Sequence, residues 1–487
     1  MKTMMKALSV LMVFALLAAC GLTTFAGTSD QADAEQSMDI SDISDESGDV
    51  SHEETELGDV NGDNEIDMKD VLLLRKYLAK MDVTIVESLS DVNDDESIDM
   101  KDVLLLRKYI AGLVSKLGID PYELVKKPYR GLVRQNLEKN DISLAKFASQ
   151  QKKDSNFVIS PASFDYVMST LAMAAGNGTA TQKEIFDMYG FDGISDFYSY
   201  ISEINSLAES SFKISNSIWF NKKQGNVFKQ EYVEMLKEYF KSDTFSVDRN
   251  EMKDTANQWV KDSTDGLIPV LFTEDPDEDW LSSFINAIYI KQPWECVSYS
   301  DDRQMDFVTS AGEIVKKDLF TVESEDKDNI GYYKDENTEM VILPTKSNVK
   351  VALIMGDDSD FQNTLNKAEY IPVQVDIPIV EIEAELSPEE AMEFCKQNGV
   401  ETIFEEGSAD LSNLTSLQAH VSSVSQKATI SLNSTGITAA AVTQKSDVYE
   451  AWYEYKHIKF DHAFSFVVYA EEEDGTACTL FYGQINE

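Results

Sequence analysis

Residues 428–460 read ATISLNSTGITAAAVTQKSDVYEAWYEYKHIKF, and this stretch decides how most of the chain is read. Ala428, Ile430 and Leu432 alternate with Thr429, Ser431 and Asn433, the period-two pattern of a half-buried strand. Gly436, Ile437, Thr438, Ala439, Ala440, Ala441, Val442 and Thr443 follow, a run of mostly small residues with little shape of their own. About sixteen polar and aromatic residues, 444–459, then form a long exposed loop before apolar strands resume near Phe460. A small-residue run joined to such a loop suits a segment that must enter something already packed.

Outward from this stretch, residues 120–487 contain no linker-like composition and no repeat. Strand patterns occupy 283–290, 340–343, 349–355 and 464–469, and helical periods occupy 142–150, 164–174 and 387–398. Their irregular alternation excludes a βα-repeated, doubly wound fold. G-x-S-x-G, GxxxxGK[ST] and GxGxxG are all absent, and His52-Glu53-Glu54-Thr55-Glu56 lacks the second histidine of a zincin. His457 and His462 sit beside strands, and no nucleophile–base constellation stands out. An enzymatic reading, a hydrolase in this large module, has little to rest on.

Five further segments share one pattern with 436–443: Asn156 to Ser163 (NFVISPAS), Ile285 to Lys291 (INAIYIK), Trp294, Ala409 to Ser412 (ADLS) and Leu480 to Ile485 (LFYGQI). In this order and spacing they resemble a serpin over roughly 135–487. The resemblance implies an α+β fold with three β-sheets, about eight or nine helices and an exposed reactive-centre loop. It makes 436–443 the loop's hinge and places Ser160, Ser163, Asn286 and Trp294 at the shutter and breach of the central sheet. It also implies a suicide substrate. A target serine or cysteine protease forms an acyl-enzyme on the loop, and the cut loop inserts as a new strand into the sheet. Hinge spacing puts the scissile bond at Glu450–Ala451, with Tyr449 and Trp452 as alternatives. The chain departs from the family at Ser434, where a Glu is usual, at Gln426, where a shutter His is usual but a Gln can still hydrogen-bond, and more seriously at Lys445 and Asp447 on the inward-facing alternation. A non-inhibitory serpin-fold binding protein is the rival they raise.

The front of the chain carries an internal duplication. Residues 58–80, GDVNGDNEIDMKDVLLLRKYLAK, and 90–112, SDVNDDESIDMKDVLLLRKYIAG, agree at seventeen of 23 positions. Each opens with oxygen ligands at the EF-hand loop positions: Asp59, Asn61, Asp63, Asp67 and Asp70, then Asp91, Asn93, Asp95, Asp99 and Asp102. Glu65 and Ser97 offer backbone carbonyls at position seven, so two Ca²⁺ ions are expected. The turn at position six needs positive φ, which Asn64 tolerates better than Glu96, so the second site is expected to be the weaker. A helix follows each loop but none precedes it, and this order resembles a type I dockerin, a small α-helical calcium-folded module that binds the cohesin modules of a cellulosome scaffoldin. By that resemblance Met68, Lys69, Arg75 and Lys76, and equally Met100, Lys101, Arg107 and Lys108, form two equivalent cohesin-facing surfaces.

Lys2 and Lys6 introduce the apolar run 7–19, which at ~1.5 Å per residue is too short to span a ~30 Å hydrocarbon core. It reads as a secretory signal over 1–26, with cleavage after Ala26 or, at a lipobox-like LAAC, before a lipidated Cys20. Residues 28–57 hold eleven Asp/Glu and no Lys or Arg, a solvated linker spanning 27–56. The expected order is then dockerin 57–117, linker 118–134 and the large module 135–487, exported and scaffold-bound. Cys296, Cys395 and Cys478 read as buried small hydrophobes, not a disulfide framework. The net charge of −45 argues against nucleic acid or an anionic membrane as partner, and no second apolar run reaches transmembrane length.

Overall fold

The computed structural model describes residues 17–24, 57–81, 83–93, 98–110, 117, 127–224, 227–266, 268–300, 303–324, 330–437, 455–471 and 477–487. Two units separate: 25–131 with 193–199, and the remainder. In chain order the chain begins with β1 (Leu17–Thr24), α1 (Met68–Leu78), α2 (Met100–Ile110) and α3 (Lys127–Gln151). β2 (Phe157–Ile159), α4 (Pro161–Ala174), α5 (Ala180–Tyr189), α6 (Ile194–Ser211), β3 (Lys213–Asn221), α7 (Gln230–Tyr239), β4 (Asp243–Val247) and α8 (Arg249–Ser263) follow. Next come β5 (Trp280–Tyr289), β6 (Val297–Tyr299), β7 (Gln304–Val308), β8 (Ile314–Glu323), β9 (Gly331–Lys334), β10 (Thr338–Pro344), β11 (Val349–Gly356) and α9 (Phe361–Leu365). The chain closes with β12 (Glu369–Tyr370), β13 (Val373–Pro378), β14 (Val380–Leu386), α10 (Pro388–Gln397), β15 (Ala419–Asn433), β16 (Gly436–Ile437), β17 (Lys456–Lys459), β18 (Phe464–Glu471) and β19 (Ala477–Ile485).

The smaller unit is built on the duplication. α1 begins at Asp67, whose carboxylate caps the helix by accepting from the Lys69 N–H, with Asp70 completing a capping box. Its core joins Val60, Val71 and Leu74 of the first copy to Val92, Val103, Leu105 and Leu106 of the second. The two loops therefore stand or fall together, because each helix buries its apolar face mainly against the other copy.

The larger unit has the three expected sheets, and α3 to α10 supply eight helices among the described residues. The first sheet runs β14-β15-β1-β5-β3-β4 with β16 attached to β15; the second runs β12-β9-β10-β11-β18-β19-β2; the third runs β17-β13-β8-β6 with β7 on β8. Ser160 caps α4 and Pro161 occupies its first turn, as a helix start requires. Every residue of α4 is buried, so this helix lies within the core instead of on its surface. β5 is likewise buried along its whole length, with Ile285 and Ala287 packed on Met252, Ala256 and Val260 of α8. The strands expected at 283–290, 340–343, 349–355 and 464–469 fall in β5, β10, β11 and β18. The helices expected at 142–150, 164–174 and 387–398 fall in α3, α4 and α10.

Two boundaries differ from expectation. α3 begins at Lys127, so the linker expected over 118–134 gives way to helix eight residues early. Leu17–Thr24, read as part of an export signal, forms a strand between β15 and β5, antiparallel to both. No helix among the described residues is long and apolar enough to cross a membrane.

Candidate functional site

β5 and β15 are separated by one strand's width, and the line between them is the site's main feature. At its upper end, β15 turns back at Asn433 into β16. There Leu432 pairs with Ile437 and Asn433 with Gly436. On its other side Ile437 pairs with Gln292, donating to the Gln292 carbonyl at 2.9 Å and accepting its N–H at 3.2 Å. The first two hinge residues are thus already a strand laddered on both edges. Gly436 has φ of 138°, and a Cβ there would lie 2.1 Å from the Gln292 carbonyl oxygen and 2.7 Å from Pro293 Cα. Only glycine fits.

Trp294 closes this end. Its indole is buried, stacks on Phe320 and donates to the Asn433 carbonyl at 2.8 Å. Ser298 of β6 donates to the Ser434 carbonyl at 2.6 Å, so the turn between β15 and the hinge is held at two points, by Trp294 and by β6. The family resemblance expects Trp294 here; Gln292, which pairs with the hinge, carries no signal of its own in sequence.

Lower down, Ser160, Ser163 and Asn286 form a buried polar cluster beneath the sheet. Ser160 Oγ donates to the Leu480 carbonyl at 2.7 Å and accepts from Ser163 N–H. Ser163 Oγ donates to Asn286 Oδ1 at 2.5 Å, Asn286 Nδ2 to Asn216 Oδ1 at 2.7 Å, and Asn216 Nδ2 to the Phe240 carbonyl at 2.7 Å. This chain ties α4 to β5 and β3. Asn216 was missed by sequence reasoning. An asparagine inside a strand is the only hint it offers.

The face of β5 carrying Phe284, Asn286 and Ile288 therefore looks at α4, and the alternate face looks at α8. On the α4 face Ser282 is fully buried and its hydroxyl has no partner among the described residues. The hinge residues Thr438, Ala439, Ala440, Ala441, Val442 and Thr443, the loop charges Lys445 and Asp447, and Tyr449, Glu450, Ala451 and Trp452 lie outside the described residues.

The smaller unit places the loop ligands by backbone amides. Asp59 accepts from the N–H groups of Gly62, Asp63 and Asn64 at 2.8–3.0 Å, and Asp70 from those of Asn61 and Asp67. Asn64 adopts φ of 63°, the bend expected of it. In the second loop Asp102 accepts from Val92, Asn93 and Asp99, and burial pushes its carboxyl up to about 6. Asp95 and Ser97 lie outside the described residues. Asp59, Asn61, Asp63, Asp67 and Asp70 lie within twelve consecutive residues, an all-oxygen donor set whose chemistry suits a hard divalent cation, although among the described residues no three acidic side chains are gathered closely enough to hold a metal ion.

The two faces proposed by the resemblance, on α1 and α2, are less alike than the repeat implies. Met68 and Leu72 are 55% and 54% exposed on α1, whereas Met100 packs in part against the shared core. The side chain of Lys108 is not among those described. Cys296, Cys395 and Cys478 are buried free thiols, and burial raises Cys395 to about 12. His457 and His462 are exposed on or beside strands.

Comparison with known proteins bears on both units. The family model "Serpin (serine protease inhibitor)" matches residues 137–487, and "Dockerin type I domain" matches 57–111. Iripin-2 of Ixodes ricinus is 26% identical over 365 residues, covering 69% of this chain and 88% of its own. Leukocyte elastase inhibitor A of Mus musculus is 24% identical over 378 residues, covering 71% and 96%. Among solved structures, the native thermophilic serpin Tengpin superposes with a TM-score of 0.60 at 23% identity, covering 72% of this chain and 94% of its own. A cleaved Serpin 42Da gives 0.58 at 19%, covering 73% and 98%.

Proposed function

The chain belongs to the serpin family and carries a type I dockerin domain, and on that premise we propose that it is an exported suicide inhibitor of a serine protease, held on a scaffold by its dockerin. The alternative target class is a cysteine protease. The family model is described as a serine protease inhibitor and the leukocyte elastase inhibitors of Mus musculus and Homo sapiens are named as inhibitors, so the hydrolase reading is set aside.

One observation carries the mechanism. The hinge is already the first pair of residues of a strand between β15 and the end of β5. Continued in that register, Thr443 comes beside Asn286 and Gln426, the same two residues that flank Ala18 of β1. The segment Leu17–Thr24 therefore lies on the line the loop would take. Export, by cleavage after Ala26 or before Cys20, removes at least Leu17–Ala19 from that line. Further down, Tyr449 comes beside Trp280, the first residue of β5. A loop cut after Glu450 thus supplies a strand that ends where the sheet ends, which favours Glu450–Ala451 as the scissile bond.

The same register sets Lys445 beside Phe284 and Asp447 beside Ser282, both toward α4. Burying them unpaired costs several kcal/mol. Ser282's unpartnered hydroxyl is one donor for Asp447, and Lys445 two residues away is another. These two charges also favour the second reading, a serpin that is cut without trapping its protease. Incubation of the mature chain with subtilisin-like, chymotrypsin-like and Glu-preferring proteases separates the two. The inhibitor gives an SDS-stable adduct; clean cleavage across the panel with no covalent species would sink this reading.

In the dockerin we assign two calcium sites, Asp59, Asn61, Asp63, Glu65, Asp67 and Asp70 for the first and Asp91, Asn93, Asp95, Ser97, Asp99 and Asp102 for the second. Bound calcium supplies the charge that offsets these clustered carboxylates. A cohesin module is the partner of the faces bearing Met68, Lys69, Arg75 and Lys76, or Met100, Lys101, Arg107 and Lys108.

A further inference from the structure

Lys69 is an anomaly on α1. It stands in the first helical turn, where the helix dipole disfavours a cation. Its ammonium nonetheless turns back over the preceding loop: Nζ lies 3.0 Å from Asp67, 3.2 Å from Asp63 and 3.6 Å from Glu65. These are three of the residues assigned above to the first calcium site. The inner carboxylates, Asp59 and Asp70, are instead held by backbone amides. The outer carboxylates thus share a cation supplied by the chain itself.

We propose that Lys69 is a built-in counter-ion of the first calcium loop, competing with the metal for Asp63 and Asp67, so that calcium loading turns its ammonium out to the recognition face. The inference rests on the calcium and cohesin readings above. Lys69 is one of the exposed residues next to Met68 and Leu72, so its release adds a donor to an apolar patch of α1. A partner offering a carboxylate beside an apolar pocket then reads the calcium state of the loop directly, beyond the folding that calcium brings. In the second loop Lys101 lies 3.7 Å from Asp99, and position seven there is Ser97, which offers no carboxylate.

The test is calcium titration calorimetry on the mature full chain, comparing wild type with Lys69→Gln, Lys101→Gln and the control Lys76→Gln. Removing a competing charge a few Å from a divalent ion should tighten the first site about tenfold, whereas Lys76→Gln, which removes the same charge elsewhere on α1, should move it by less than about twofold. At saturating calcium, Lys69→Gln should bind a cohesin more weakly although it binds calcium more tightly. Equal calcium affinities for Lys69→Gln and Lys76→Gln overturn the counter-ion role. A calcium gain with unchanged cohesin affinity overturns the release to the recognition face. Absence of any calcium binding by wild type would instead defeat the underlying site assignment, which distinguishes the two failures.

Discussion

Gly436 shows how much a single residue decides. With φ of 138° and the Gln292 carbonyl where a Cβ would stand, Gly436→Ala must open the hinge from β15 or from Gln292. Such strain costs about 1–3 kcal/mol, so chemical denaturation of the uncut variant should show that loss, and an unchanged midpoint would mean the hinge is not laddered. Asp165 on α4 gives a pH prediction. Burial, partly offset by hydrogen bonds from Tyr189 and Asn140 and by the charge of Arg134, raises its carboxyl to about 7. Asp141 beside it is raised too, by burial and then by the charge of Asp165. The folded state therefore keeps a proton that the unfolded chain sheds near the ordinary value of 3.8. This contribution is complete in acid and is lost as pH rises through about 7. Asp165→Asn, which keeps an acceptor for Tyr189, should flatten that decline in melting temperature; a slope equal to wild type would contradict it. The proposed calcium ligands can be named from sequence at this scale because all six of a loop lie within twelve consecutive residues. Asn216, Gln292 and Ser282 were not, because each acts on a strand far away in sequence; Asn216 and Asn286 are 70 residues apart.

At the scale of elements, β5, β15 and the hinge form one unit of mechanism. Their period-two and small-residue patterns were readable, because alternation records which face is buried. Their register was not readable, because it is set by Trp294, Asn433 and Gln292 meeting across the sheet. That register makes the loop charges testable. Lys445→Ala with Asp447→Ala should lower the moles of inhibitor consumed per protease trapped, since insertion no longer buries two ions. Ser282→Ala alone should raise it, by removing a donor for Asp447. If the double substitution leaves the stoichiometry where it was, these side chains do not enter the α4 face. The expected linker over 118–134 failed at this scale for a different reason: Lys127 to Arg134 is polar enough to pass as linker, yet it continues into the apolar period of α3.

Across the whole molecule, two units of different physics share one chain. The duplicated unit has a small core and a high density of acid, so its stability is tied to its ligands. Chelation by EDTA should unfold residues 57–117 and abolish cohesin binding while the larger unit keeps its melting transition; a loss of both transitions together would contradict that independence. The larger unit draws on three sheets and a fully buried helix for its core. Most of the excess of 87 acidic over 42 basic residues lies in residues 135–487, a spread charge that favours solubility, while the linker over 28–57 is the densest stretch, with eleven acids and no Lys or Arg. The central claim is that the loop, once cut, becomes the strand between β5 and β15. Its most direct test is the melting temperature of the mature chain before and after cleavage within 444–454, with the two fragments left together. Insertion completes ladders on both neighbouring strands, so the account predicts a melting temperature far above that of the uncut chain. A cleaved chain that melts at or below the uncut one would contradict it.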